Sequence, residues 1–452
     1  MSRFAKYWSE LWEHLANYPT FGCENTDLAD KLVSFLLVIS PLLQHYRGVG
    51  VNAGILVLVL CLPYIGVKLL LRLRSLRWKN LMWVLPLILF QVFRVVAHGT
   101  TLMEVAHGVV LCGYFTAIAL GGINLKYAAR WSYLVAMVAC LCIILQSLCY
   151  YLFGFHLQMV VTEWLLEESS HWIRLAETGL IDVTGKVSLF YRPSAFFLEP
   201  SHMFLYFTPH LCLLLLTPDM NQVKGVSAAV LSLALILSTS GMGIALILAV
   251  WLLHLGFGGD EKNVLRPSHL LRWRSIRRCL GFLMVFGLIA VILPFLRYGI
   301  LRIFMSQEAV NNLIGGDYLG LLGLDAEGST AISGRTQQAI SLIVNKMQGL
   351  QYLFGVSDSV DDITFNLPGF FATIYKYGFL GMVLSYVFYL CCAVFAKGAY
   401  RWMAIIILGI SFFTAHTHGT FYMIFYIMLL MDGLMTKGKP GQADHPTVIP
   451  GG

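Results

Sequence analysis

Charged residues are scarce in this sequence. Asp, Glu, Lys and Arg make up only 12% of the 452 residues, whereas 58% are hydrophobic and the mean hydropathy is +0.73. Soluble domains carry roughly 25% charged residues and about 45–50% apolar ones, so the composition excludes a soluble protein. It also excludes a disordered chain, and the regular alternation of an outer-membrane barrel is missing. We therefore predict an all-α, polytopic bundle of transmembrane helices.

The sequence also lacks the short motifs of common metal and nucleotide sites. Its ten cysteines form no CxxC pair and have no histidine at metal-ligand spacing, and no Walker, GxSxG or HExxH motif is present. We therefore expect no metal site, no disulfide framework and no cofactor. The net charge of +7 comes from basic residues in short loops, which indicates membrane topology and not a nucleic-acid partner.

Twelve apolar segments are candidates for crossing the membrane, which takes about 20 residues. They lie near residues 29–46, 51–71, 81–97, 103–122, 131–153, 200–217, 226–239, 242–257, 279–296, 368–395, 402–415 and 419–434. No soluble domain, long linker or internal repeat separates them, so residues 1–452 are predicted to form a single integral membrane domain. Before the first span, segment 3–15 is predicted to be a short interfacial helix that anchors the chain.

The basic residues predict which loops are cytoplasmic. Lys and Arg concentrate in alternate loops, most strongly in a basic loop at about 258–278, and with an even number of spans both termini fall on the same side. Basic loops face the cytoplasm, so both termini are predicted to be cytoplasmic. The other side has two large loops, at about 154–199 and 297–367. We expect the function on the side of these loops.

The first candidate site follows the first large external loop. Arg192 and Glu199 bracket the stretch Pro-Ser-Ala-Phe-Phe-Leu, and Pro200, Ser201 and His202 come next. Proline suits the first turn of a helix, so Glu199 is predicted at a helix N-terminus with Ser201 and His202 just inside. A guanidinium offers bidentate donors to a diphosphate, and a carboxylate half-buried among aromatic residues suits a general base. The alternative is a surface ion pair beside a helix start.

Two further external segments carry hydroxyl and guanidinium groups. Residues 238–241 (Ser-Thr-Ser-Gly) are predicted to form a tight turn where Ser240 contacts a polar ligand, and the alternative is a turn of small packing residues between two helices. Arg335 is predicted near the start of an amphipathic helix at about 336–350. A phosphate there would meet a guanidinium and free backbone amides; the alternative is a solvated arginine.

Polar residues also lie at the ends of the last spans. Asn366 precedes an aromatic span that contains Lys376, and both are candidate substrate contacts, although Lys376 could also snorkel to the interface. His416 and His418 lie between the last two spans. Because no third ligand is adjacent, we interpret them as contacts for a polar substrate or for a neighbouring helix, and not as a metal site.

A further group of polar residues lies within the third predicted span. Gln91, Arg94 and His98 have the spacing i, i+3 and i+7 of one helical face, and Glu104 follows on the next span. An intramembrane arginine usually faces a cavity or a partner. Arg94 is therefore a candidate substrate contact, and an ion pair between Arg94 and Glu104 is the alternative. The acidic residues within 358–362 are interpreted as solvated loop carboxylates and not as a Mg²⁺ site.

The order of these motifs resembles the O-antigen polymerase/ligase superfamily, in particular the polysaccharide polymerases of the Wzy type. The resemblance covers roughly residues 130–430 and consists of the Arg192–His202 segment, the serine-rich turn at 238–241, Ser-Gly-Arg335 in a large loop, and Asn366 before a span with Gly-Phe-Leu-Gly. Two departures occur. Phe365 lies where ligases of this superfamily tend to have a histidine, which weakens the ligase alternative, and Met242 lies where a basic residue is often found.

The resemblance implies an integral-membrane glycosyltransferase of the bacterial inner membrane. Such an enzyme transfers a growing glycan from undecaprenyl diphosphate to another lipid-linked repeat unit on the periplasmic side. Arg192 and Arg335 are then expected to stabilise the departing diphosphate, and Glu199 to act as the base, with His202 or His418 as alternates. Lipid-linked oligosaccharide and membrane lipid are the expected partners, with a chain-length regulator and a flippase of the same pathway.

Three other functions remain open at this point. The first is a ligase that moves the glycan onto a lipid or a protein, and the second is a flippase or another transporter of lipid-linked oligosaccharide. A transporter is expected to spread charged residues along its span interiors and to show paired repeats. Here the candidate residues concentrate at the outer ends of the spans, which favours an enzyme. The third is a purely structural assembly partner.

Overall fold

The computed structural model describes most of the chain. The described residues are 6, 9–11, 13–14, 27–47, 52–98, 102–157, 191–217, 221–257, 272–293, 296–298, 300–301, 332–356, 368–414 and 420–435. Apart from one isolated bridge between Arg47 and Asn52, these residues contain no β-structure. The prediction of an all-α chain is therefore confirmed.

The described part of the chain forms helices that we number in order. They are α1 Leu28–Leu43, α2 Ala53–Leu71, α3 Leu81–His98, α4 Leu102–Leu120, α5 Leu125–Phe153, α6 Pro200–Leu215, α7 Gln222–Leu237, α8 Gly241–Phe257, α9 Trp273–Ile292, α10 Ile332–Lys346, α11 Gln351–Phe354, α12 Gly369–Phe395, α13 Ala399–Phe413 and α14 Thr420–Met435. Each of the twelve predicted apolar segments coincides with one of these helices. The predicted amphipathic helix in the second loop corresponds to α10, with α11 directly after it.

Five of the described helices are long and apolar enough to cross a membrane. They are α2, α5, α9, α12 and the segment Trp78–His98, which contains α3. Six further apolar helices of 10–17 residues accompany them. Length and composition thus support a membrane protein. The helix boundaries themselves have local causes, because Asp27, Asn52, Asn124 and Asn221 each accept a hydrogen bond from a backbone N–H of the helix that follows.

Two helices form the centre of the bundle. The side chains of α6 from Met203 to Leu215 and those of α14 from Phe421 to Leu434 are buried around the whole circumference, as expected for a helix that is apolar on every face. Tyrosine hydroxyls connect them to their neighbours and to each other. Tyr206 donates to the carbonyl of Val38 in α1, and Tyr426 in α14 donates to the carbonyl of Leu205 in α6.

The helix α12 is broken at Gly378, whose φ of +66° and ψ of −175° are not helical. The short helix α11 packs directly against this break. The amide of Val356 donates to the carbonyl of Tyr375, at 3.0 Å, so the loop supplies a hydrogen bond beside the break. Gly355, also at positive φ, lies against the backbone of Lys376, and Gly378 lies against the backbone of Leu353. The second large loop is therefore fastened to α12 by two glycines.

We expect Gly355→Ala and Gly378→Ala to disrupt this contact. A Cβ atom at either position would overlap a backbone carbonyl of the opposite segment, and both residues have a positive φ that L side chains rarely adopt. The thermal unfolding temperature of the purified protein should fall clearly in both variants. Gly287→Ala in α9 is the matched control, since nothing lies within 4 Å of its added Cβ. The idea is wrong if the Gly355 and Gly378 variants melt like this control.

Candidate functional site

The helix ends that carry most of the predicted site residues lie together at one end of the bundle, which we call the site end. His45, directly after α1, stacks on His202 in the first turn of α6, with 4.8 Å between ring centroids. Thr420, which begins α14, is hydrogen-bonded to His107 near the start of α4. Phe421 lies against Gly54 at the start of α2. The starts of α2, α4, α6 and α14 therefore share this end with the end of α1.

The segment from Tyr191 to Glu199 is non-helical and buried at the site end. Gln146 of α5 holds it in place: its carbonyl oxygen accepts from the amide of Ala195 at 2.9 Å, and its amide group donates to the carbonyl of Leu157 at 3.0 Å. Ala195 has a φ of +53°, a conformation that is uncommon outside glycine. One side chain of α5 thus fixes the chain on both sides of the first large loop.

Three aromatic rings pack beside this segment. Tyr150 stacks on Tyr191 at 4.7 Å between centroids, and His156 contacts both rings, at 4.7 and 5.3 Å. Burial lowers the pKa of His156 below its ordinary value and so favours the neutral imidazole. These three rings therefore form an aromatic surface at the site end.

Arg192 and Glu199 are both buried, with only 5% and 9% of their surfaces exposed. The alternative of a surface ion pair is therefore wrong, because neither group lies at the surface. The predicted helix start is confirmed: Pro200 is the first residue of α6, and Glu199 is its N-cap residue in an extended conformation. Taking charged groups out of water is costly, so the burial of these two side chains at a helix start makes them candidates for a functional role.

His202 connects three helices at the site end. Its side chain is 3% exposed and stacks on His45, and its carbonyl oxygen accepts from the Tyr422 hydroxyl of α14 at 2.8 Å. The sequence indicated His202 but gave no signal for His45 or Tyr422, because these contacts join residues far apart in the chain. Ser201 lies beside His202 in α6, but its side chain is outside the described residues.

The serine-rich turn lies between α7 and α8, as predicted, and its three hydroxyl side chains are buried. Ser240 caps α8 by accepting from the amide of Gly243 at 3.3 Å. Thr239 has a φ of +51°, which is unusual for a β-branched residue, and its buried hydroxyl has no partner among the described residues. The turn thus packs between two helices and also presents a polar group.

The residues on α3 do not act as one group. Gln91 is buried against α14, where its amide nitrogen lies 4.0 Å from the Met423 sulfur, whereas the His98 ring is hydrogen-bonded to the carbonyl of Phe354 in α11 at 2.7 Å. Arg94, which lies between Gln91 and His98 along α3, is half-buried. The predicted single face of α3 therefore serves two different neighbours.

The structure describes several of the predicted site residues only in part or not at all. Lys376 is half-buried in α12, two residues before the break at Gly378. Arg335 lies in the first turn of α10, but its side chain is outside the described residues, as are all atoms of Asn366, His416 and His418. Within the described ranges, no group of three or more His, Cys, Asp or Glu residues could hold a metal ion.

We expect Gln146→Leu to loosen the buried segment at the site end. The variant keeps the size of the side chain but leaves the buried Ala195 amide without its acceptor, which costs about 1–3 kcal/mol. Thermal stability should fall, and protease cleavage of the loop between His156 and Tyr191 should become faster. Gln222→Leu at the exposed start of α7 is the control. Equal cleavage rates in both variants would show that Gln146 does not fix the segment.

Comparisons of the chain with protein-family models, with curated proteins and with solved structures find no match. The resemblance described for the sequence therefore stands on its motifs alone. The functional interpretation depends on those motifs and on the geometry of the site end.

Proposed function

We propose that this chain is a polysaccharide polymerase of the bacterial inner membrane, belonging to the O-antigen polymerase/ligase superfamily. It would transfer a growing glycan from undecaprenyl diphosphate to another lipid-linked repeat unit on the periplasmic side. The product would be an O-antigen, a capsule or an exopolysaccharide. The observation that carries the proposal is the burial of two side chains of opposite charge, Arg192 and Glu199, in the segment that leads into a central apolar helix.

The charges suit the two chemical demands of this reaction. The acceptor hydroxyl gives its proton to the Glu199 carboxylate, and its oxygen forms a bond to the anomeric carbon of the donor glycan. The bond from that carbon to the diphosphate oxygen breaks, and its electron pair leaves on undecaprenyl diphosphate. Arg192 stabilises the added negative charge, since a cation held in a buried site acts more strongly than in water.

Other residues complete this proposed site. Arg335 supplies a second guanidinium from the second loop, and Lys376 a further cation near the break in α12. Ser201, His202, Ser240 and Asn366 would contact sugar or phosphate, as would Arg94, His416 and His418. The lipid chain of the donor would lie between apolar helices, several of which expose large hydrophobic side chains such as Leu145 and Leu148 of α5.

In the proposed orientation the site end faces the periplasm and both termini face the cytoplasm. Support comes from the far end of the bundle, where basic residues collect at the end of α2 and the start of α9, including Arg72, Arg74, Arg277 and Arg278. Basic residues near span ends favour the cytoplasm. Twelve crossings bring every predicted site residue to the opposite side.

Reporter fusions should reveal this orientation. Alkaline phosphatase is active only in the periplasm and green fluorescent protein fused to a membrane protein fluoresces in the cytoplasm. Fusions after Thr178 and Asp317 should therefore give phosphatase activity, and fusions after Lys262 and Gly452 should give fluorescence. Phosphatase activity at Lys262, or fluorescence at Thr178 or Asp317, would overturn the twelve-span arrangement.

We expect Arg192→Ala to abolish most polymerisation. Removing a preorganised group that stabilises developing charge costs about 10²- to 10³-fold in rate. Arg192→Lys should recover only part of the activity, because lysine offers no bidentate fork. The readout is the length of the surface glycan in a strain that lacks the gene and carries each variant at equal protein level.

Arg278→Ala is the matched control, because Arg278 is exposed at the start of α9; this variant should make full-length polymer. Single repeat units at the surface of the deletion strain would support a polymerase. Long chains left on the lipid carrier would instead show a ligase, and units left inside the cell would show a flippase. Full-length polymer from Arg192→Ala would remove this arginine from the site.

A further inference from the structure

A second polar cluster lies at the site end, between α3, α4 and α14. It consists of Gln91, Arg94, His107 and Thr420, and we call it the Gln91 cluster. Thr420 is hydrogen-bonded to His107 at 2.5 Å. Gly108, next to His107 on α4, lies against Val95 and the backbone carbonyl of Gln91 on α3, and Arg94 is one turn after Gln91. Three helices therefore bring polar side chains close to one another at this end.

The first turn of α14 separates the Gln91 cluster from the buried Arg192–Glu199 segment. Thr420 and Met423 contact α4 and α3, whereas the Tyr422 hydroxyl donates to the carbonyl of His202 in α6. Successive residues of a helix are rotated by about 100°, so Thr420 and Met423 share a face and Tyr422 lies on the other. The site end thus has two polar regions, one on each side of α14.

Gln91 is the most deeply buried member of its cluster. Its side chain is 1% exposed, its amide nitrogen meets only the weak sulfur acceptor of Met423, and its carbonyl oxygen has no partner among the described residues. The three other members are half-buried. The cluster is therefore more exposed at Arg94, His107 and Thr420 than at Gln91, whose carbonyl oxygen is a buried acceptor without a partner among the described residues.

The chemistry of these groups selects the ligand. A carbonyl oxygen needs a hydrogen-bond donor, which a fully ionised diphosphate does not have. A neutral hydroxyl-bearing molecule fits, since hydroxyls can donate to Gln91 and accept from Arg94. Sugars present several hydroxyls at such spacings.

We propose that the Gln91 cluster is a carbohydrate-binding subsite, which holds a neutral sugar of the acceptor glycan on the side of α14 opposite Arg192 and Glu199. The inference rests on the proposed function and specifies its second substrate. The two regions lie about one helix diameter apart, roughly 10–12 Å. An oligosaccharide that passes over the start of α14 can reach both, whereas a single sugar cannot.

The test compares ligand binding to the full-length purified chain and to Gln91→Leu. Leucine is similar in size to glutamine and removes a buried acceptor, so the variant should fold and melt at the wild-type temperature or above it. The probes are farnesyl diphosphate and a panel of neutral sugars (glucose, galactose and N-acetylglucosamine) at millimolar concentration. Binding is measured as the rise in melting temperature with each probe.

We expect at least one sugar to stabilise the wild-type chain and to bind Gln91→Leu about tenfold more weakly, as the loss of one buried hydrogen bond predicts. Farnesyl diphosphate should stabilise both equally, and Gln222→Leu should match the wild type throughout. Unchanged sugar binding in Gln91→Leu, or no sugar binding by the wild type, would overturn the subsite. Failure of the proposed function has a different signature, namely a farnesyl diphosphate response that is absent or that Arg192→Ala leaves unchanged.

Discussion

The structure depends on the complete burial of α6 and α14. A polar group on a helix that is enclosed on every side has no access to water, so it needs a partner inside the protein. Tyrosine hydroxyls meet this need by donating to backbone carbonyls of neighbouring helices, as Tyr422 does to His202 and Tyr426 to Leu205. Both central helices begin at the site end, and their packing therefore sets the positions of the polar side chains there.

The sequence predicted the helices well because the signals for them are local. Apolar runs mark the helix interiors, and a single residue can set an end: Asn124 caps α5, which begins at Leu125 and not near residue 131 as its apolar run indicated. The start of α6 at Pro200 was predicted for the same reason. Helix length is a weaker guide to membrane crossing, since six of the apolar helices have only 10–17 residues.

The site could be predicted only in part. Arg192 and Glu199 were identified because a charge is rare in such an apolar chain, but only partial burial was predicted for Glu199 and none for Arg192. Gln146, which fixes the segment between them, and His45, which stacks on His202, were missed. Each acts across more than 40 residues of chain, and periodicity shows which face of a helix is apolar but not which residue will lie against it.

The backbone contacts of Gly355 with Lys376 and of Gly378 with Leu353 join the end of the second large loop to α12. The break leaves the two halves of α12 without a continuous ladder of hydrogen bonds, so a change in the angle between them costs less than bending an intact helix. A movement of the end of the loop would carry Lys376 with it, because the Val356 amide is hydrogen-bonded to the Tyr375 carbonyl and Gly355 lies against the Lys376 backbone. A displacement of the end of this loop would thus be transmitted to Lys376 in α12.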